Sequence, residues 1–228
     1  MNSIKIMFNI LDEPIEILGL TSLVIENKST FAHVVKDIYD YENGNQSDVR
    51  LFTQDQNSLP PSEILPITDI VSFDINSPST LKAIYKDLED VISIEPDKKT
   101  KIEDLLGEIW SAIGKEIIHF ELNLNIQKIT LQTIFKALNI KIDCNCPSIF
   151  EKTMTILEVV KYLPKKKLLI FINLGSYLNK QEMQALEEYI ALQNTNILLI
   201  DNYPFPISTQ TTIDEDLVVL QSIQLHPK

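Results

Sequence analysis

Glycine is scarce in this chain, with five among 228 residues, and cysteine scarcer, with two. The same sequence has fewer cations than acids, 20 lysines and arginines against 32 aspartates and glutamates, for a net charge of −12. Each shortage excludes something. Cys144 and Cys146 form a lone C-x-C with no second pair, too few sulfur ligands for a structural zinc site, and they read as free thiols. No run of about 18 apolar residues occurs, so no membrane partner is expected. The start, "MNSIKIMFNILDEPIEI", carries acids within its apolar stretch and no basic opening, which argues against a secretory signal and for a cytoplasmic location. The acidic balance disfavours a polyanionic partner on its face, yet a field acts only within a Debye length of about 8 to 10 Å. A ring can therefore turn cations inward and acids outward.

The glycine shortage bears most on "SLVIENKSTFAHVV", residues 22–35: a buried strand, a short polar loop ending in Lys28-Ser29, and an amphipathic helix. That is the order of a nucleotide-binding P-loop, whose backbone cradles phosphate through glycines. The motif G-x-x-x-x-G-K-[ST] would put glycines near Ser22 and Asn27, whereas the nearest is Gly19. The chemistry also needs a magnesium-binding carboxylate at the end of another buried strand. In "KKKLLIFINL" the polar residue after the apolar run Leu168–Ile172 is the neutral Asn173. An ordinary strand-to-helix turn capped by Asn27 or Ser29 is the simpler reading. The alternative is a P-loop-type nucleoside-triphosphate hydrolase using Lys28 and Ser29. "LGSYL" around Ser176 lacks the glycine pair of a nucleophile elbow. His33, His119 and His226 are scattered, and a lone histidine beside an apolar helix face reads as a packed core residue. No catalytic constellation emerges.

The pattern predicts an α/β protein. "IKIMFNI", "IEIL", "TSLVIE" and "VRLFTQ" read as strands and "STFAHVVKDIYDY" as a helix with Phe31, Val34, Val35 and Ile38 on one stripe. "LPPSEILPITDIVSFDI" is too proline-rich for a long helix. Helices follow from Pro78 to about Ile92, with Leu81, Ile84, Tyr85, Leu88 and Ile92 at helical spacing, and from about Thr100 to Phe120 as an antiparallel partner. Gly107 and Gly114, a heptad apart in the second, suggest a close helix crossing, a bend or a dimer seam. "ITLQTIFKALNIKID" gives a short helix with a strand-like end, and "CPSIFEKTMTILEVVKYL" another helix. Two apolar strands, 167–173 and "NILLID", joined by the helix "KQEMQALEEYIALQ", make a βαβ unit and hence a parallel-rich sheet. "EDLVVLQSI" is the last expected strand. The two ends thus predict an α/β head from 1–76 and 154–228, with an inserted helical leg from 77–153.

"LDEPIEI", "ITDIVSFDINSPSTLK", "IFEKTMTILEVVKYLPKKKLLIFIN", "EEYIAL" and "IDEDLVVL" occur in that order along nearly the whole chain. In these blocks the sequence resembles the small ring-forming accessory protein of type II-A CRISPR loci, the one around "KYLPKKKLLIFIN" being the most specific. The resemblance implies a degenerate P-loop-like head, a helical leg, a homotetrameric ring, and no enzymatic activity. It further implies sequence-independent binding of double-stranded DNA by its ends, threading through the ring, and a role in spacer acquisition beside the CRISPR integrase and the RNA-guided nuclease. Such a ring needs phosphate contacts, which lysines on an inner wall provide. The candidates are Lys128, Lys136 and Lys141 in the leg, and Lys28 with the cluster Lys161, Lys165, Lys166 and Lys167 in the head. A lysine in "KYLPKKK" can equally be a solvated helix end.

The resemblance also implies calcium held by acids between the long leg helix and the next short one. Here that connection, "FELNLNIQKITLQTIF", carries Asn123, Asn125, Gln127, Lys128 and Thr133, leaving Glu116, Glu121 and distant Asp143 as nearby carboxylates. Calcium takes six to eight oxygens, usually several from carboxylates. No cofactor is required by the sequence, and Glu116 and Glu121 are the candidate ligands if calcium binds.

Overall fold

A computed structural model describes residues 3–193, 195–205 and 207–223, and divides the chain into two compact units, 1–73 with 145–228, and 74–144. The first unit holds every strand found among the described residues. Its small antiparallel sheet has the order β2-β1-β4, from β1 (Ile4–Met7), β2 (Ile15–Ile17) and β4 (Arg50–Thr53). A six-stranded sheet has the order β5-β6-β7-β3-β8-β9, from β3 (Leu20–Ile25), β5 (Ile64–Ile67), β6 (Leu168–Ile172), β7 (Asn196–Asp201), β8 (Thr209–Ile213) and β9 (Val219–Ile223). Neighbours from β5 to β8 run parallel, and β9 closes the edge antiparallel to β8. The expected parallel-rich α/β fold is what forms.

Burial explains the strand sequences. Strands β3, β6 and β7 are buried at every residue, so they read as mainly apolar rather than alternating, β6 without a break, β3 with Thr21 and Ser22, and β7 with Asn196 and Asp201 at its ends. Helix α1 (Lys28–Glu42) buries Val34 and Ile38 with Phe31 and Val35 packed at the rim, the stripe its spacing predicts. Ile6, Ile17 and Leu51 of the small sheet join Leu23, Ile170 and Leu198 of the large one in one hydrophobic core. Two strands escape sequence reading. β5 contains Pro66, which can give no ladder hydrogen bond from its nitrogen, and it lies at the sheet edge where that loss is tolerated. β8, "TQTTI", is polar, yet it lies between β3 and β9.

The expected division falls at 76/77 and 153/154, whereas the compact units change at 73/74 and 144/145. Helix α5 (Ile149–Val160) belongs wholly to the first unit, where Ile156, Leu157, Val159 and Val160 are buried and Lys152 Nζ donates to the Val71 carbonyl at 2.7 Å.

The second unit is helical: α2 (Pro78–Ile94), α3 (Pro96–Ile118) and α4 (Leu131–Ala137). Its core is small. Tyr85, Leu131 and Phe135 are buried, the two rings 5.7 Å apart and tilted by 58°, with Leu81, Leu88, Ile92, Ile102 and Ile140 around them. Tyr85 Oη donates to the Ile140 carbonyl at 2.8 Å, which ends the chain segment after α4 as a tethered loop instead of the expected strand. Gly107 and Gly114 do not serve a close crossing in this chain, because a Cβ at either would meet nothing within 4 Å. Helix α3 buries no residue at all, and Leu105, Ile109 and Ile113, which share one face at four-residue spacing, are about half exposed.

In the first unit, helix α6 (Lys180–Leu192) starts on a capping box made by Asn179 and Glu182. Before it, a single 3₁₀ turn, Leu174–Ser176, follows β6 and brings Gly175 under the Phe205 ring. A Cβ built on Gly175 falls inside that ring. Gly175→Ala is therefore expected to destabilise the head by about 1 to 3 kcal/mol from overpacking. In urea denaturation, the further change Phe205→Ala should recover part of that loss.

Candidate functional site

The strand, turn and helix that open the P-loop order are β3, Glu26-Asn27 and α1. Two residues make the whole connection. Asn27 is the N-cap, its side chain accepting from the Thr30 N–H at 3.1 Å, and its carbonyl accepts from the Phe31 N–H at 2.9 Å. The Glu26 N–H is bound by the Ile213 carbonyl at the end of β8. A phosphate cradle needs a longer loop with several converging N–H groups, and here the Thr30 and Phe31 N–H groups are committed to Asn27 and that of Glu26 to the sheet. Of the two sequence candidates for the cap, Asn27 is the one used. Lys28 is exposed at the first helical position, with no acid in the first turn. A cation at the positive end of a helix dipole is disfavoured unless an anion offsets it.

Asn173, the neutral residue after β6, adopts a left-handed conformation with φ of 57° and begins the 3₁₀ turn. The carboxylate lies instead at Asp201, which ends the neighbouring strand β7. Asp201 is only 1% exposed. One oxygen accepts from the Gly175 N–H at 3.2 Å; among the described residues the other, Oδ2, has no hydrogen-bond partner, and neither has Ser22 Oγ. Burial pushes the Asp201 carboxyl up to about 7, a rise the Gly175 N–H partly offsets. The residue was findable as the one charged position in "NILLID", at the C-terminal end of a parallel strand. Its carboxylate is sealed rather than open to a bound metal.

The candidate DNA-binding lysines fall into two groups. Lys136, in the last turn of α4, and Lys141 are exposed, and among the described residues neither side chain has an ion pair. Lys128 is also exposed, but it lines a groove of about 420 Å³ that holds Glu89, Glu103, Lys99 and Trp110. In the head, Lys28 and Lys165 are exposed. Lys166 turns inward to donate to the Ile64 carbonyl at 2.5 Å, and burial lowers its pKa while it raises that of Glu42. Lys167 pairs with Glu63 at 2.7 Å, fixing the entry to β6 against β5. Lys161 pairs with Glu158 at 2.9 Å and lies over the Tyr189 ring. The basic run is therefore partly a set of internal ties.

Glu116 lies exposed near the end of α3 and Glu121 just beyond it; among the described residues neither joins a group of three potential metal ligands. Cys144 and Cys146 form no disulfide. His33 is not the packed core residue its position suggests, since its side chain is 60% exposed. His119 caps the end of α3 in an exposed position, and His226 lies outside the described residues. No helix among the described residues is long and apolar enough to cross a membrane.

The sequence profile of a family described as the CRISPR-associated protein Csn2 matches residues 39–217. A CRISPR-associated protein Csn2 of Enterococcus faecalis is 43% identical over 212 residues, which cover 93% of this chain and 96% of that protein. One from Streptococcus agalactiae is 37% identical over 217 residues, covering 95% and 97% respectively. In fold, the chain is similar to the crystal structure of Stu0660 of Streptococcus thermophilus, with a TM-score of 0.59 at 13% identity over 96% of this chain and 76% of that one.

The raised pKa of Asp201 sets a pH dependence. The folded protein holds the proton up to about pH 7, whereas the unfolded chain loses it near 3.8. The stability this group contributes is thus fully present below about 3.8 and is lost as pH rises through about 7. Asp201→Asn should raise the melting temperature at pH 8, and the gain should shrink steadily in scans taken down to pH 5.

Proposed function

The chain belongs to the Csn2 family of CRISPR-associated proteins, and on that premise we propose that it is a non-enzymatic DNA-end-binding ring. Four copies close around linear double-stranded DNA, admit it by its free ends without reading sequence, and hold it for the integrase and RNA-guided nuclease during spacer acquisition. The observation that carries this reading is helix α3. It runs for 23 residues without burying one, and it presents Leu105, Ile109 and Ile113 on one face to solvent in the isolated chain. Further copies of the same chain would cover that stripe, and Gly107 and Gly114 leave room for a close approach.

Lys136 and Lys141 are the phosphate contacts this reading favours, being exposed and without an ion pair among the described residues. Lys28 and Lys165 are the next candidates, and Lys128, Lys166 and Lys167 the weakest, because of the acids or carbonyls beside them. The short capped turn at Glu26-Asn27 supports a role without nucleotide hydrolysis.

Light scattering on the purified protein should give a mass near four chains, and Ile109→Asp should lower it. The same preparation should bind linear duplex and not a sealed circle, with affinity falling about 10³-fold between about 50 and 200 mM salt if six or more phosphates are contacted. Lys136→Glu with Lys141→Glu should weaken binding without changing the mass. Equal binding of circles, or salt-independent association, would overturn the ring-and-end reading; no shift of linear duplex in a gel would leave a protein scaffold. ATP or GTP turnover abolished by Lys28→Ala would restore the hydrolase alternative.

A further inference from the structure

Helix α1 carries a feature that the DNA-binding reading does not use. His33 and Asp37 lie one helical turn apart on it, and Asp48 is brought opposite them by the segment that follows. His33 Nε2 lies 3.5 Å from Asp37 Oδ2 and 3.7 Å from Asp48 Oδ2, and one donor atom from each of the three residues lies within 4.8 Å of the other two. An N–H···O hydrogen bond closes at about 2.9 Å, so neither contact is one. The spacing suits a different geometry. Ligand atoms about 2.1 Å from a tetrahedral metal lie about 3.4 Å from each other, which is close to the two distances measured from His33.

The three groups are held, not merely near. Asp37 is 5% exposed, and among the described residues its carboxylate has no lysine or arginine within 4.0 Å. A buried carboxylate whose one basic neighbour within 4.0 Å is a histidine, charged only when protonated, has room for a cation. Asp48 sits between two anchored neighbours: Ser47 Oγ donates to the Asp37 carbonyl at 2.8 Å and accepts from the Val49 N–H at 3.0 Å, and Val49 is fully buried. Asn9 donates to Asp48 Oδ2 at 2.5 Å from the far side, steadying that oxygen. The outer face is open, since His33 is 60% and Asp48 46% exposed, so water can complete the coordination.

We propose that His33, Asp37 and Asp48 form a binding site for a divalent first-row transition ion of the zinc class. The donor set decides the class. One imidazole nitrogen with two carboxylate oxygens suits zinc and its neighbours, whereas calcium takes six to eight oxygens and disfavours imidazole. Bound there, the ion would clasp α1 to the segment before β4 and to the β1–β2 turn through Asn9. The site is independent of the ring and its DNA.

The test is calorimetric titration of zinc chloride into full-length, chelator-treated protein at neutral pH, on a Cys144→Ser, Cys146→Ser background so that the thiols contribute nothing. One zinc per chain at micromolar concentration is expected, with a rise in melting temperature, and excess calcium should not compete. His33→Gln and Asp48→Asn, both exposed positions, should each weaken binding at least about tenfold, with circular dichroism and the metal-free melting temperature unchanged. No saturable binding on this background, binding unchanged in both variants, or displacement by calcium would overturn the site.

Discussion

The head depends on one constraint: β3 must sit in the middle of a parallel sheet and still turn into α1 within two residues. Its six residues are buried, and Ser22, Leu23 and Val24 pair with β7 on one side and β8 on the other. The turn then passes straight into the helix, Asn27 accepting from the Thr30 N–H with its side chain and from the Phe31 N–H with its carbonyl. A longer loop would free those groups for a phosphate. With this one the strand, turn and helix keep the order of a P-loop with only Glu26 and Asn27 between strand and helix. Across the sheet the same theme recurs at Asp201, whose charge is suppressed by burial instead of being offered to a metal.

Much of this was legible because burial on both faces leaves a mark in sequence. The apolar run of β6, the apolar stretch of β7, the stripe on α1 and its cap Asn27 all follow from local chemistry. β5 and β8 were not legible, since a proline at an edge and a threonine-rich central strand take their strand character from neighbours distant in the chain. The candidate site divides likewise. The missing glycines announced the closed turn, but the sequence could not tell a free lysine from a tied one: Lys165 and Lys166 are adjacent, and only the latter reaches a buried carbonyl. His33 and Asp37 are paired by helical spacing alone, whereas Asp48 meets them through the loop that Ser47 pins.

The helical unit shows the opposite economy. Three buried residues hold α2 and α4 together, while the longest helix keeps its apolar stripe outside. A unit with so small a core is marginal by size alone. Anything that covered the exposed face of α3 in the folded state and not in the unfolded one would add to its stability by mass action.

The helical unit leaves the head after β5 and returns before α5, so both of its ends are anchored in one already folded body. The entropy of closing such an excursion grows only with the logarithm of its length. Residues can therefore be gained or lost between Asp74 and Cys144 over evolutionary time while the register of β5 with β6 stays untouched. Reach becomes a variable separate from the framework that carries it.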